Sequence, residues 1–259
     1  MSHDHAWQLM PDFAPLDTVF GSLDAVFELQ GESVTQDKLS EVIRVQVDGQ
    51  RFYVKRYHRA GKGLKQFLGR SRIKSEWHNL LLFSKLGIPT APVVAYGECR
   101  ALGIFKRGAL VTQEVPKTQD LAELARNNDA RLGSADWVKA ISQQIADALR
   151  RMHQRQFVHN DYKWRNLLVD QQNTVYLIDC PLGAVWPKPI FLRRRFKDFR
   201  ALDRVAKYKL RATQRLRFYL QYAQKNRLEP QDKYFLRQLL GKPERRISSF
   251  APERTSRQD

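Results

Sequence analysis

Cysteine is nearly absent: the 259-residue chain holds only Cys99 and Cys180. Their spacing matches no metal-ligand pattern, so a disulfide scaffold and a cysteine zinc site are disfavoured and a reducing cytosol fits. No run of about 18 apolar residues occurs, which argues against a membrane-spanning helix. The start, Met1-Ser2-His3-Asp4-His5, carries an acid and lacks the basic and apolar stretches of a secretory signal. Acid is scarce too. Residues 51–75 contain nine Lys or Arg and no Asp or Glu, and residues 188–227 set fourteen Lys or Arg against Asp198 and Asp203 alone. No internal repeat is found.

What is present suffices for a core. Apolar residues make up 42% of the chain, and its length fits one large domain or two small lobes sharing a cleft. The net charge of +18 concentrates in the two basic stretches and favours an anionic partner: nucleic acid, an anionic bilayer or a phosphorylated glycan.

The first half reads mainly as strands. Residues 1–22 are Pro-punctuated and read as a lead-in. Strands are expected over 25–30, 41–47 and 51–57, with Asp48-Gly49 as a hairpin turn. Arg59–Arg72 reads as a basic loop. Trp77, Leu80, Leu81 and Leu86, followed by Gly87, predict a helix over 74–86. Further strands are expected over 93–96 and 110–113. Beyond Pro116 the pattern turns helical: 120–126, 134–154 with Ser134 as N-cap, 197–209, 213–225 and 230–240 with Pro230 at its start. A short hairpin, 167–169 with 174–178, interrupts them. Residues 242–259 are polar and read as a frayed tail. The resulting fold class is α+β, with an N-terminal antiparallel sheet lobe and one helix over 23–115, a hinge, and a helical C-terminal lobe over 116–241.

One stretch concentrates the chemistry: His159-Asn160-Asp161-Tyr162-Lys163-Trp164-Arg165-Asn166, followed by Ile178-Asp179. Asp161 and Asn166 lie five positions apart, and Asp179 thirteen beyond Asn166. This spacing resembles that of protein-kinase-like enzymes, which use it for a catalytic base, a metal-binding amide and a metal-binding acid. In that role Asp161 takes the proton of a substrate hydroxyl and aims its oxygen for in-line attack. Asn166 and Asp179 offer the hard oxygens that Mg²⁺ prefers, and the hairpin between them brings them to one end. His159 braces the loop. Lys163 meets the γ-phosphate as a point charge. Alone, Asp161 reads better as a loop acid capping a helix, and Lys163 has an exposed loop lysine as its other reading. Their company decides the matter.

Lys55 ends the strand Phe52-Tyr53-Val54-Lys55, similar to the kinase Val-Ala-Ile-Lys signature in which an ammonium reaches the α- and β-phosphates. Glu76, the only acid between Lys55 and Glu98, is its expected partner. A phosphate-cradling loop is expected at Gly31-Glu32-Ser33-Val34-Thr35-Gln36. It has one glycine instead of a Gly-x-Gly-x-x-Gly run, leaving backbone N–H groups and the hydroxyls of Ser33 and Thr35 for phosphate, and an ordinary turn reads equally well. Glu114-Val115-Pro116 is expected to meet the adenine edge. Cys180-Pro181 follows Asp179 where a typical protein kinase has Phe-Gly, and the stretch over 182–195 holds no Ala-Pro-Glu. Proline fixes φ, and the short basic stretch over 182–195 offers no platform for a peptide substrate.

From about Phe52 to Asp203 the chain resembles the bacterial lipopolysaccharide kinase family of the Kdo/WaaP type, within the protein-kinase-like superfamily. The likeness rests on Phe52-Tyr53-Val54-Lys55-Arg56-Tyr57, the basic loop before Glu76, Leu86-Gly87-Ile88-Pro89-Thr90-Ala91-Pro92, His159-Asn160-Asp161 through Asn166, and Leu177-Ile178-Asp179. It implies a two-lobed, ATP- and Mg²⁺-dependent enzyme that phosphorylates a heptose or Kdo of the inner core while that sugar is attached to lipid A. It also implies a peripheral position on the cytoplasmic face of the inner membrane, where the basic patches meet anionic lipid and the acceptor. Nucleic acid is then not an expected partner.

Two other classes stay open. Ile178-Asp179-Cys180-Pro181 has some likeness to RIO kinases, and a basic surface suits RNA, so an atypical protein or ribosome-associated kinase is one. A non-catalytic nucleotide-binding protein at a membrane surface is the other. Antibiotic kinases share the His-x-Asp-x-x-x-x-Asn pattern, but their acidic acceptor pockets do not match this basic chain. Oligomeric state is not legible.

Overall fold

The computed structural model describes residues 4–36, 39–58 and 70–241. The expected basic loop over 59–72 falls largely outside the described residues, and the polar tail over 242–259 does so entirely. The chain divides into two compact units. One comprises Met1–Pro116 with Ile178–Leu182, and the other Lys117–Leu177 with the residues from Gly183 onward.

The first unit is built on β1 (Asp4–Leu9), β2 (Glu32–Gln36), β3 (Ser40–Val47), β4 (Gln50–Tyr57), β5 (Val93–Ala101) and β6 (Ile104–Gln113). They form one antiparallel sheet in the order β1-β5-β6-β4-β3-β2. Asp48 and Gly49 both take positive φ, 49° and 76°, which gives the β3–β4 turn the twist that a two-residue hairpin needs. Two short helices, α1 (Asp17–Phe20) and α2 (Leu23–Glu28), precede β2, and α3 (Arg72–Lys85) precedes β5.

Pleating alternates side chains between the two faces. Phe52, Val54 and Arg56 of β4 face α1 and α2. Phe20 packs edge-on against Phe52 at 5.1 Å, and the Arg56 guanidinium donates to the carbonyls of Val26 at 3.0 Å and Leu29 at 2.5 Å. Phe20, Val26, Phe52, Val54, Val94 and Val111 are fully buried there. Emptying the Phe52 position to Ala would cost about 3–5 kcal/mol. Lys55 lies on the opposite face, toward α3.

Three expectations are corrected. Residues 25–30 are not a strand, because the Ser22 hydroxyl accepts the Ala25 N–H and caps a helix whose Leu23 and Val26 point into the core. Residues 32–36 are not a loop but β2, paired with β3 (Ser33 opposite Ile43). Residues 1–22 do more than lead in, since β1 hydrogen-bonds along β5. The strands expected over 93–96 and 110–113 also extend toward each other into one long hairpin turned at Leu102 and Gly103, both at positive φ.

The second unit is mostly helical: α4 (Leu121–Arg126), α5 (Ala135–Gln154), α6 (Lys188–Arg194), α7 (Phe196–Lys209), α8 (Ala212–Ala223) and α9 (Pro230–Leu240). Ser134 caps α5 as expected. Val138, Ile141, Ile145, Leu149 and Met152 then recur at helical spacing on its buried face. Three short strands, β7 (Gln119–Asp120), β9 (Leu167–Val169) and β10 (Val175–Leu177), form a small sheet. β8 (Phe157–Val158) pairs with β11 (Ala184–Val185). Among the described residues no helix is long and apolar enough to cross a membrane.

Candidate active site

In the first unit Lys55, Glu76 and Asp179 meet. The Lys55 ammonium donates to both Glu76 oxygens, at 2.8 and 3.1 Å, and to Asp179 Oδ1 at 3.0 Å. Alternation along β4 aims Lys55 at α3, and the start of α3 sets the height of Glu76. Ser71 caps that helix by accepting the Lys74 N–H, and its own hydroxyl donates to Glu98 on β5 at 2.5 Å. Arg100 holds Glu98 from the other side at 2.7 Å. Nearly one turn past Glu76, Asn79 donates to the Cys180 carbonyl at 2.7 Å, so one face of α3 grips both Lys55 and the Asp179-Cys180 segment. Asp179 has φ of 58°, a left-handed backbone that non-glycine residues adopt at functional turns.

Burial alone would push the Lys55 ammonium toward its neutral form. Glu76 and Asp179 outweigh it and raise Lys55 above its usual range, so the charge persists. Burial lifts the Glu76 carboxyl to about 7. Lys55 opposes that lift, and Asp179 adds to it. Two carboxylates around one ammonium thus leave an excess of negative charge in a largely buried place, the condition that a divalent cation relieves. Among the described residues no group of three His, Cys, Asp or Glu forms a metal cage by itself. The carboxylate of Asp179 and the carboxamide of Asn166 are nonetheless the donor types that Mg²⁺ takes alongside water and phosphate oxygens.

In the second unit the 159–166 loop is fixed by its neighbours. Tyr162 is fully buried and donates to the Ile145 carbonyl at 3.0 Å, and Trp164 donates to the Leu202 carbonyl at 3.0 Å. With residues 162 and 164 turned inward, Asp161 and Lys163 are left partly exposed, and the Lys163 ammonium reaches Asp161 Oδ2 at 2.5 Å. The Asn166 amide donates to the Asp161 carbonyl at 2.9 Å, which settles the way that amide faces. Leu177 pairs with Leu167, so Asn166 flanks the open end of the β9–β10 hairpin, and Asp179 follows two residues after Leu177.

The remaining expected residues make other contacts. Gly31 precedes β2, where a Cβ would stand 2.5 Å from the Arg44 carbonyl, and Ser33 is an exposed strand residue. Glu114 extends the β4–β6 pairing by donating its N–H to the Arg51 carbonyl at 2.8 Å, and its carboxylate meets the Arg51 guanidinium at 3.4 Å. Pro116 closes the first stretch of its unit.

Sequence reasoning missed Asp198 on α7. It is fully buried, and it accepts the His159 N–H at 2.9 Å and the Asn160 N–H at 2.8 Å. His153 Nε2 stands 3.2 Å from the same carboxylate, and His153 Nδ1 lies 2.9 Å from the Tyr222 hydroxyl. A signal existed: Asp198 is one of only two acids in the basic stretch over 188–227, the same scarcity that singled out Glu76. The other, Asp203, is taken up by a two-pronged pair with Arg215 at 2.6 and 2.7 Å.

Three comparisons bear on this arrangement. The lipopolysaccharide kinase (Kdo/WaaP) family model matches residues 22–226. A 3-deoxy-D-manno-octulosonic acid kinase of Mannheimia succiniciproducens is 28% identical over 163 residues, 61% of each chain. The lipopolysaccharide core heptose(I) kinase WaaP of Pseudomonas aeruginosa is 26% identical over 168 residues, 62% of this chain and 63% of that one. The chain therefore spans less than two thirds of the length of either relative. A solved structure of WaaP in complex with acyl carrier protein has the same fold, with a TM-score of 0.71, 23% identity, and coverage of 91% of this chain and 95% of that one.

Proposed function

The chain belongs to the lipopolysaccharide kinase (Kdo/WaaP) family, and from that premise we propose that it transfers the γ-phosphoryl group of ATP to a hydroxyl of a heptose or Kdo in the lipopolysaccharide inner core. The observation that carries the reading is the Lys55 ammonium held between Glu76 and Asp179. An ammonium so placed serves a phosphate-binding role better than a surface role, because burial strengthens its field and Glu76 fixes its direction.

The roles follow residue by residue. Lys55 neutralises the α- and β-phosphates. Asp161 accepts the proton of the acceptor hydroxyl as its oxygen attacks the γ-phosphorus, and the bond from that phosphorus to the bridging oxygen breaks to release ADP. Lys163, beside Asp161, meets negative charge gathering on the transferred group. Asn166 and Asp179 are the ligands for Mg²⁺, which when bound shields the phosphate oxygens. Asp198 holds the backbone ahead of Asp161 in place. Glu114 and Pro116 are assigned to the adenine edge by their position after β6.

An acceptor still joined to lipid A implies work at the cytoplasmic face of the inner membrane, where the basic surface over 188–227 meets anionic headgroups. Because the solved WaaP is in complex with acyl carrier protein, such a carrier is proposed as a second partner, to be sought by co-purification.

The test is Mg²⁺-dependent transfer of labelled phosphate from ATP to purified inner-core acceptor. The wild type is expected to label the sugar and Asp161→Ala to fall by at least about 10²-fold, the scale of lost general-base catalysis. Full turnover in Asp161→Ala would defeat the assignment.

A further inference from the structure

Helix α6 has an unusual distribution of side chains for a segment packed on a protein. Only Phe191 is buried. Arg194 is folded inward, its guanidinium 3.8 Å from the centre of the Trp186 ring and 3.4 Å from Asn160 Oδ1. Just past the helix, Arg195 covers the Phe235 ring at 4.7 Å. Everything else on α6 faces outward: Lys188, Pro189, Ile190, Leu192 and Arg193 are exposed, and Lys197 is exposed at the start of α7. Ile190 is 43% exposed and Leu192 41%. Leu192 lines a shallow depression whose far side is formed by Pro230, Gln231 and Tyr234 of α9, and Tyr234 is 65% exposed.

Among the described residues, the charges around this apolar surface have one sign. Lys188, Arg193 and Lys197 flank Ile190 and Leu192, and Lys233 and Arg237 flank Tyr234, all exposed. The nearby acids are occupied. Asp198 is buried against the 159–160 backbone, Asp232 accepts from Tyr219 and Lys225, and Glu229 pairs with Lys225 at 2.9 Å. Two aliphatic side chains and a tyrosine, ringed by long cationic side chains, form an interfacial surface. The aliphatic groups enter the acyl boundary, the phenol stays at headgroup level, and the cations extend to lipid phosphates. A protein-binding patch is expected to have few lysines and a contiguous apolar centre. Here cations interrupt the apolar residues.

We infer that the outward face of α6, together with Tyr234 of α9, is the surface by which this protein lies on an anionic bilayer, with Ile190 and Leu192 inserted and Lys188, Arg193 and Lys197 on the headgroups. The inference deepens the reading given above and rests on it for its purpose, since a lipid-linked acceptor requires the enzyme at that surface.

The test uses the purified full chain and two double variants, Ile190→Asp with Leu192→Asp, and Lys188→Glu with Arg193→Glu. Sedimentation is measured with vesicles of phosphatidylcholine alone and with an equimolar mixture of phosphatidylglycerol and phosphatidylcholine. The wild type is expected to sediment with the mixed vesicles only, and each double variant to bind them at least about tenfold more weakly. Melting temperatures are expected to stay near that of the wild type, since the replaced side chains are exposed. If a double variant melts early, Arg193→Glu alone supplies the comparison. Turnover on a delipidated, water-soluble core oligosaccharide is expected to be unchanged in the Ile190→Asp, Leu192→Asp variant, while turnover on acceptor embedded in mixed vesicles falls with binding. Variants that sediment as the wild type does overturn the inference. So does a wild type that binds both vesicle types equally. Variants that keep vesicle binding but lose a co-purifying protein assign the face to a protein and also overturn it. Absence of turnover on both acceptors, with vesicle binding as expected, counts against the kinase reading and leaves the docking surface standing.

Discussion

Asp198 accepts the backbone N–H of Asn160 at 2.8 Å from thirty-eight positions away in the chain. The bond anchors the residue just before Asp161, and its partner on His159 anchors the one before that. Removing the carboxylate would leave two backbone donors without their acceptor, one of them on a fully buried residue, and each such loss costs about 1–3 kcal/mol. Asp198→Ala is expected to lower stability by several kcal/mol in urea denaturation. In Asp198→Asn, the surviving oxygen keeps one donor, so the loss of stability is smaller. Its kcat is expected to fall by roughly 10²-fold through misplacement of Asp161, with KM for ATP nearly constant. Equal loss in kcat and in nucleotide affinity would contradict a role confined to the loop.

Lys55→Met removes the ammonium and leaves Glu76 and Asp179 facing each other. Turnover is expected to fall by roughly 10²–10³-fold, the scale for losing one pre-aimed electrostatic group. Nucleotide binding, measured by fluorescence with a labelled ATP analogue, is expected to persist. Glu76→Gln keeps the shape but halves the opposing charge on Lys55, and is expected to have a milder loss of the same kind.

Glu98 links pH to the helix that carries Glu76. Burial alone would raise its carboxyl, but the Ser71 hydroxyl and the Arg100 guanidinium more than reverse that and hold it below its ordinary value of 4.5. As pH falls, the unfolded chain therefore binds this proton before the folded one does. The stability from Glu98 is complete above about pH 4.5 and is lost progressively below it. Glu98→Gln is expected to cost roughly 1–2 kcal/mol at pH 7 and to flatten the acid limb of a urea-denaturation series. An unchanged acid limb would remove Glu98 from that role.

Gly31 tests whether the residues before β3 serve the sheet. A Cβ there meets the Arg44 carbonyl at 2.5 Å and Val45 Cγ1 at 2.8 Å. Gly31→Ala is expected to lower stability by about 1–3 kcal/mol through overpacking. If Gly31 is only a close-approach position, KM for ATP stays near that of the wild type, and a rise beyond the loss of folded protein would return it to phosphate binding.

The legible parts of the sequence were those in which local chemistry admits one answer. Asp48-Gly49 between two alternating runs specifies a hairpin, and the structure has it. Glu76 stood out because no other acid was near, and it pairs with Lys55. The illegible parts depend on partners far along the chain or on segments too short for a period to show. Over 25–30, Val26, Phe27 and Leu29 fit alternation as well as a helical face, and only the Ser22 cap and the core position of Leu23 decide it. β1 takes its hydrogen bonds from β5, some ninety residues on, which no local pattern announces. α6 follows Pro187 as its N-cap and holds Pro189 in its first turn, where proline is at home although it breaks a helix further in.

The membership of Ile178–Leu182 in the first unit governs how the molecule can be dissected. The chain passes between the units at three peptide links, after Pro116, Leu177 and Leu182. A truncation product ending at Pro116 would contain every strand of the large sheet, yet Asn79 would lose the Cys180 carbonyl and Lys55 would keep one carboxylate of two. Expression of that half by itself would thus yield a sheet with its charged centre incomplete, and complementation by a separately made second half would have to restore the missing pentapeptide to its place against α3.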